Sequence, residues 1–153
     1  MTVLAVDIGG TKTALALVSS RGDIQAKEIR ATDAADPEPT IRQIMAFAQG
    51  HAIKAVGVCV PAVLEHDTDR LLWLPNLQGW NGYPLRETLS AGLGCPVALE
   101  YDGHAAVLGE WWAGAARGWH SVASIIIGTG IGGGFVVDGR LWRGRDRLAG
   151  AVG

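Results

Sequence analysis

The spacing of apolar residues changes at Gly9-Gly10, and the chain divides into elements from there. Val3 to Ile8 is a short apolar run with Asp7 near its end, and Thr13 to Val18 alternates small and large apolar residues. Both patterns predict strands. Arg21-Gly22-Asp23 is a turn signal, and Ile24 to Ile29 predicts a third strand. The period then lengthens. After Asp36-Pro37, an N-cap followed by a first helical proline, Ile41, Ile44, Met45 and Ala48 stand at i, i+3, i+4 and i+7, and Gly50 stops the helix. Lys54 to Val60 predicts a strand ended by Pro61. Residues 62–82 read as irregular, with Pro75, Asn76, Gly79, Asn81 and Gly82 set between bulky residues. Pro84 to Leu93 predicts a helix closing near Gly94. Val97 to Glu100 predicts a short strand that runs directly into Asp102 and a helix with Ala105, Leu108, Trp112 and Ala115 on one face, ended by Gly118. Ser121 to Ile127 predicts a strand, Gly128 to Gly134 a glycine loop, and Phe135 to Val137 another strand. Strands mixed with helices in this way predict an α/β class with a mixed β-sheet flanked by helices.

The predicted boundary lies at Gly114 to Gly118, giving one lobe over residues 1–117 and an opening β-hairpin of a second over 118–153. A strand pair is not a stable domain alone. The expectation is therefore one complete lobe and the start of another, as in a longer protein that has been cut. The apolar residues Ile125 to Ile127 and Phe135 to Val137 would lie on an unpaired edge, which favours self-association into a homo-oligomer.

Composition narrows the classes. Of 153 residues, 48% are hydrophobic and 18% charged, which excludes a disordered chain. Thirteen Lys and Arg against fifteen Asp and Glu give a net charge of -2, so no basic surplus points to a nucleic-acid partner. No apolar run has the length of a membrane span, and the N-terminus has no basic leader pattern, so the expectation is a cytoplasmic protein with no membrane partner. Cys59 and Cys95 lack metal-ligand spacing and read as small buried hydrophobes.

Three constellations carry chemistry. In Asp7-Ile-Gly-Gly-Thr-Lys12 an acid ends a strand and a turn without side-chain bulk follows. The bare amides of Gly9 and Gly10 can cradle an anion, Thr11 adds a hydroxyl, Lys12 adds a point charge, and Asp7 can hold Mg²⁺ through water. An ordinary Gly-Gly hairpin explains the same residues. A P-loop is excluded, because a strand rather than a helix follows. Gly128-Thr-Gly-Ile-Gly-Gly-Gly134 contains a Gly-x-Gly-x-x-Gly pattern at Gly128, Gly130 and Gly133. A dinucleotide fold needs a helix next, and here a strand follows, so a hairpin loop closing over phosphate remains. Asp102, between a strand and a helix, could be a general base or an N-cap, or both.

The order of these motifs resembles the sugar kinase, hexokinase and actin-like superfamily, and within it the ROK family of repressors and kinases. Asp7-Ile-Gly-Gly-Thr-Lys12 is similar to that family's first phosphate motif, and Gly128 to Gly134 to its second. Trp73-Leu-Pro-Asn-Leu77 with Trp80 resembles its sugar-side segment. Tyr101-Asp102-Gly-His-Ala-Ala resembles the stretch holding its catalytic Asp. The resemblance covers nearly the whole chain. It implies a ribonuclease H-like, actin-like ATPase lobe and transfer of the γ-phosphoryl of ATP to a sugar or sugar-like hydroxyl. Asp102 would be the catalytic base. Gly9, Gly10, Thr11, Lys12, Gly128, Thr129, Gly130, Gly132 and Gly133 would hold phosphates, and Asp7 would hold Mg²⁺. Asn76 and Tyr101 would meet the sugar. Zinc, held by many family members, would require residues beyond Gly153.

Departures from the family pattern are equally specific. Tyr101 and His104 stand where the family has Asn, Pro61-Ala62 replaces a Pro-Gly, and Ala151 replaces a sugar-binding Glu. A buried site that loses hydrogen-bonding partners loses discrimination. These departures favour an alternative, a non-catalytic sugar- or effector-binding member. The intact Asp7, Asp102 and glycine motifs favour the kinase. For the 153-residue chain alone the expectation is no turnover.

Overall fold

The structure is a computed structural model that describes residues 1–65, 68–128 and 131–151. Two compact units divide the chain, Met1–Glu100 and Tyr101–Gly153.

The first unit is built on a five-stranded sheet. β1 (Thr2–Ile8), β2 (Lys12–Ser19) and β3 (Ile24–Ala31) form an antiparallel meander, and β4 (Ile53–Val60) returns parallel to β1. With β7 (Val97–Tyr101) beside β4, the order is β3-β2-β1-β4-β7. Strand periodicity sorts the side chains. Leu4, Val6 and Ile8 of β1, Leu15 and Leu17 of β2, and Val56, Val58 and Val60 of β4 are all buried. They pack with Ile41 and Ile44 of α1 (Pro37–Ala48) and with Leu85 and Leu89 of α2 (Leu85–Leu93). Each such apolar side chain contributes about 1.5–3 kcal/mol on burial. Helix α1 starts as the sequence predicts: Asp36 accepts from the Glu38 N–H, and Pro37 needs no donor of its own.

The described residues between 62 and 82, 62–65 and 68–82, are more ordered than their composition suggests. β5 (Val63–Leu64) pairs with β6 (Leu71–Trp73), and a short 3-10 turn spans Gln78–Trp80. Leu71, Leu74, Leu77 and Trp80 are buried at every third position. The segment docks on the loop before α1. The Trp80 indole donates to the Asp33 carbonyl at 2.8 Å, and the Gly79 N–H donates to the Ala34 carbonyl at 3.0 Å. That loop is held by Asp33 Oδ1, which accepts from the Ala35 and Asp36 amides at 2.9 and 3.1 Å.

In the second unit, α3 (Asp102–Ala113) packs on β8 (Val122–Ile127) and β9 (Ile131–Val137), and β10 (Arg140–Trp142) pairs with β9. The compact units divide at Glu100/Tyr101, because α3 packs on the hairpin that follows it. Three expectations are corrected here. The helix ends at Ala113 rather than at Gly118, where the Glu110 carboxylate accepts from the Ala115 N–H at 2.9 Å. Its buried face is Gly103, His104 and Val107, while Trp112 is exposed. Finally, Gly132, Gly133 and Gly134 are strand residues opposite Ile126, Ile125 and Ser124, not loop residues. A Cβ on Gly103 would fall 2.2 Å from the Gly133 carbonyl oxygen, and one on Gly134 would fall 2.8 Å from that of Gly103. These glycines allow helix and strand backbones to approach closely. On β8, Ile125 and Ile127 are 72% and 80% exposed.

Candidate functional site

The first group of site residues lies at one end of β1 and β4. Asp7 is one residue from the end of β1 and Cys59 one from the end of β4, and the two are register partners. Alternation sends their neighbours Ile8 and Val60 into the core and turns both of them to the opposite face. The Cys59 thiol donates to Asp7 Oδ1 at 3.3 Å. Cys59 is therefore a half-buried neighbour of the metal-candidate carboxylate rather than a small core residue, and Cys95 is half-buried too. The shared position near the ends of two parallel strands is the signal that could have paired Cys59 with Asp7.

The turn between β1 and β2 is tight. The Gly9 N–H donates to the Lys12 carbonyl at 2.9 Å, so that amide belongs to the turn. Gly10 and Thr11 form its tip, and the Thr11 carbonyl accepts from the Thr32 N–H at 3.0 Å. Thr11 and Lys12 are exposed, with Lys12 opening β2. The structure brings Gly10 against Asn76. A Cβ on Gly10 would lie 2.7 Å from Asn76 Cβ and 3.2 Å from the Asn76 carbonyl oxygen. The sequence placed these residues in two separate motifs. If Asn76 meets the sugar and Gly10 the phosphates, as the resemblance implies, Gly10→Val in the intact protein is expected to weaken binding of both ligands, because the side chain displaces Asn76. Calorimetry on both ligands checks this, and loss of ATP binding alone would make the Asn76 contact incidental.

The second group surrounds the start of α3. Tyr101 is the N-cap position and makes no side-chain cap bond, and Asp102 is the first helical residue. This corrects the N-cap reading of Asp102. Its Oδ1 accepts from the adjacent Gly103 N–H at 2.7 Å. A carboxylate in the first helical turn is favoured by the helix dipole in its ionised form. Tyr101 is half-buried. Burial first, and then the nearby Asp102 charge, hold its phenol above the ordinary tyrosine value, so it stays neutral at neutral pH. Its ring meets His104 edge-on at 5.3 Å and 88°, and its hydroxyl lies where a Cβ on Gly132 would be only 3.0 Å away. Gly128 follows β8 in a bend, where an added Cβ would meet nothing within 4 Å, whereas Gly132 and Gly133 are engaged in the β8–β9 pairing. Thr129 and Gly130 lie outside the described residues.

Among the described residues no three or more His, Cys, Asp or Glu side chains cluster as a metal cage. Asp7, an exposed carboxylate at a strand end, fits the mode in which Mg²⁺ keeps most of its waters and takes one carboxylate with substrate phosphates. No described helix is long and apolar enough to cross a membrane.

A family model described as the ROK family matches residues 3–153. The chain belongs to the ROK family. Its α/β lobe, with a mixed sheet flanked by helices, is of the actin-like ATPase fold found in solved ROK kinases. The glucokinase of Thermotoga maritima is 35% identical over 158 residues, covering 100% of this chain and 50% of the relative. A β-glucoside kinase of Listeria monocytogenes is 30% identical over 154 residues, covering 100% of this chain and 52% of the relative. Among solved structures, a ROK family glucokinase from Streptomyces griseus in complex with glucose and AMPPNP superposes with a TM-score of 0.87 at 34% identity. That match covers 98% of this chain and 49% of the solved one. This ROK chain thus spans about half the length of the curated relatives it matches.

Proposed function

We propose that the protein carrying this chain transfers the γ-phosphoryl group of ATP to a hydroxyl of a sugar or sugar-like acceptor. The observation that carries the reading is Asp102: a carboxylate in the first turn of α3 that does not serve as its side-chain cap. In this reading Asp102 takes the proton of the acceptor hydroxyl as its oxygen attacks the γ-phosphorus. The new O–P bond forms as the β–γ bridge breaks, and ADP leaves. Such chemistry depends on positioning and charge neutralisation. The Gly10-Thr11 tip and Lys12 hold phosphate oxygens, and Gly128, Thr129 and Gly130 are proposed as phosphate-binding residues on the family resemblance alone. Mg²⁺ held at Asp7 would supply charge neutralisation on the phosphates. Asn76 faces the acceptor beside Gly10. The names of two relatives, a glucokinase and a β-glucoside kinase, support a glucose-like acceptor or a glycoside. In this reading the protein is cytoplasmic and a homo-oligomer.

Tyr101 sets the expected acceptor. It offers one hydroxyl and an aromatic ring where the resemblance implies an amide, and the ring already packs on His104. Glycosides with an apolar substituent should therefore outperform glucose. A coupled ADP-release assay of the intact protein on sugars, polyols and β-glucosides tests both statements. Glucose as the best acceptor would refute the Tyr101 argument. The second reading, a sugar- or effector-binding protein without turnover, is favoured by Tyr101 and Ala151. It would be supported by calorimetric sugar binding with no phosphorylation of any acceptor.

A further inference from the structure

We infer that His104 is a positioning residue for Asp102, holding the first turn of α3 through the Ala149 carbonyl. The inference rests on the reading of Asp102 as the acceptor base. The first turn of a helix frays unless something anchors it, and Tyr101 at the N-cap position supplies no side-chain cap bond. His104 lies in that turn, two residues after Asp102, and is 0% exposed. Its Nε2 is 2.8 Å from the Ala149 carbonyl oxygen. A carbonyl only accepts, so Nε2 carries the proton and donates.

The partner is itself held in place. The Ala149 N–H donates to the Arg143 carbonyl at 3.1 Å, and the Ala151 N–H to that of Leu148 at 3.0 Å. Gly150, at φ +99°, lies so near β9 that a Cβ would be 2.5 Å from the Gly133 carbonyl oxygen. Gly103, next to Asp102, meets that same Gly133 carbonyl. The turn at 148–151, the glycine run of β9 and the first turn of α3 therefore interlock. His104 is the side chain that ties the helix to the turn, and Tyr101 closes over its ring edge-on. A carboxylate displaced by about 1 Å from its productive position can lose roughly 100-fold in rate. Holding this turn still is thus a function in its own right.

The test uses the intact protein and two variants of similar side-chain length. His104→Gln keeps an N–H donor that can reach Ala149, and His104→Met fills the space without one. The expected result is that His104→Met lowers kcat by roughly 10- to 100-fold, with KM for ATP within about twofold. His104→Gln should restore most of the rate. Equal kcat in folded Met and Gln variants, or wild-type kcat in the Met variant, would overturn the inference. If the Met variant does not fold, proton NMR on histidine-labelled wild type decides. A slowly exchanging His104 ring N–H is expected, and a rapidly exchanging one overturns the inference. Asp102→Asn separates the two levels. If that variant keeps its turnover, the base assignment fails. If it is inactive while His104→Met is normal, only the role of His104 fails.

Discussion

Asp102→Asn is expected to remove most acceptor phosphorylation, about 10²- to 10⁴-fold in rate, while the protein unfolds within a few degrees of wild type. The two halves of that expectation have separate causes. Asn keeps a side-chain oxygen that can accept from the Gly103 N–H, the contact Asp102 makes at 2.7 Å. Because Asp102 is not the cap, the substitution removes no capping bond. Only the favourable interaction of a negative charge with the helix N-terminus is lost, about 0.3–1 kcal/mol. A general base, in contrast, needs an atom that can take a proton at neutral pH, and an amide oxygen cannot. Kinetics on the best acceptor, melting curves and calorimetry with sugar and ATP separate these effects. Near-normal turnover in a folded Asp102→Asn variant would show that the carboxylate is structural.

The parts of the fold legible in the sequence are those decided by local chemistry. The alternation in β1, β2 and β4 is a period-two pattern with one buried face, and Asp36-Pro37 starts α1 by the bonds that define a cap. The misread parts depend on what approaches from elsewhere in the chain. A run of glycines can be a turn or a bare strand, and Gly132 to Gly134 are strand because Gly103 packs on them. In α3 the bulky Leu108 and Trp112 advertise a core face. The buried face carries instead Gly103, His104 and Val107, because Gly103 lets the helix approach β9 closely. For the site, Asp7, Asn76 and Asp102 stood out as motif residues. Cys59 beside Asp7, Gly10 against Asn76, and His104 on the Ala149 carbonyl are tertiary pairings with no local signature. One missed pattern was present: the period-three burial of Leu71, Leu74, Leu77 and Trp80, which matches neither helix nor strand.

That segment gives the other large expected effect. Gly79→Ala should destabilise the first unit by about 3 kcal/mol, the upper end for overpacking, and lower its melting temperature by roughly 12–24 °C for a unit of this size. Gly79 looks harmless because it is exposed and its φ is not in the left-handed region. The direction of its missing side chain is what matters. A Cβ would lie 1.8 Å from the Ala35 carbonyl oxygen and 2.3 Å from its carbon. Both are backbone atoms, in a loop fixed by the two amide bonds to Asp33, so neither can swing aside as a side chain would. Relief requires residues 78–80 to lift off, which breaks the Gly79 bond to Ala34 and the Trp80 indole bond to Asp33 and uncovers the fully buried Trp80. Asn76 lies on the same segment against Gly10, so sugar affinity should fall together with stability. Gly57→Ala is the control, because nothing lies within 4 Å of the Cβ it would add on β4. Calorimetric unfolding of the wild type and both variants decides the matter. A Gly79→Ala protein that melts with Gly57→Ala would mean that the 74–80 segment is not seated on the loop before α1.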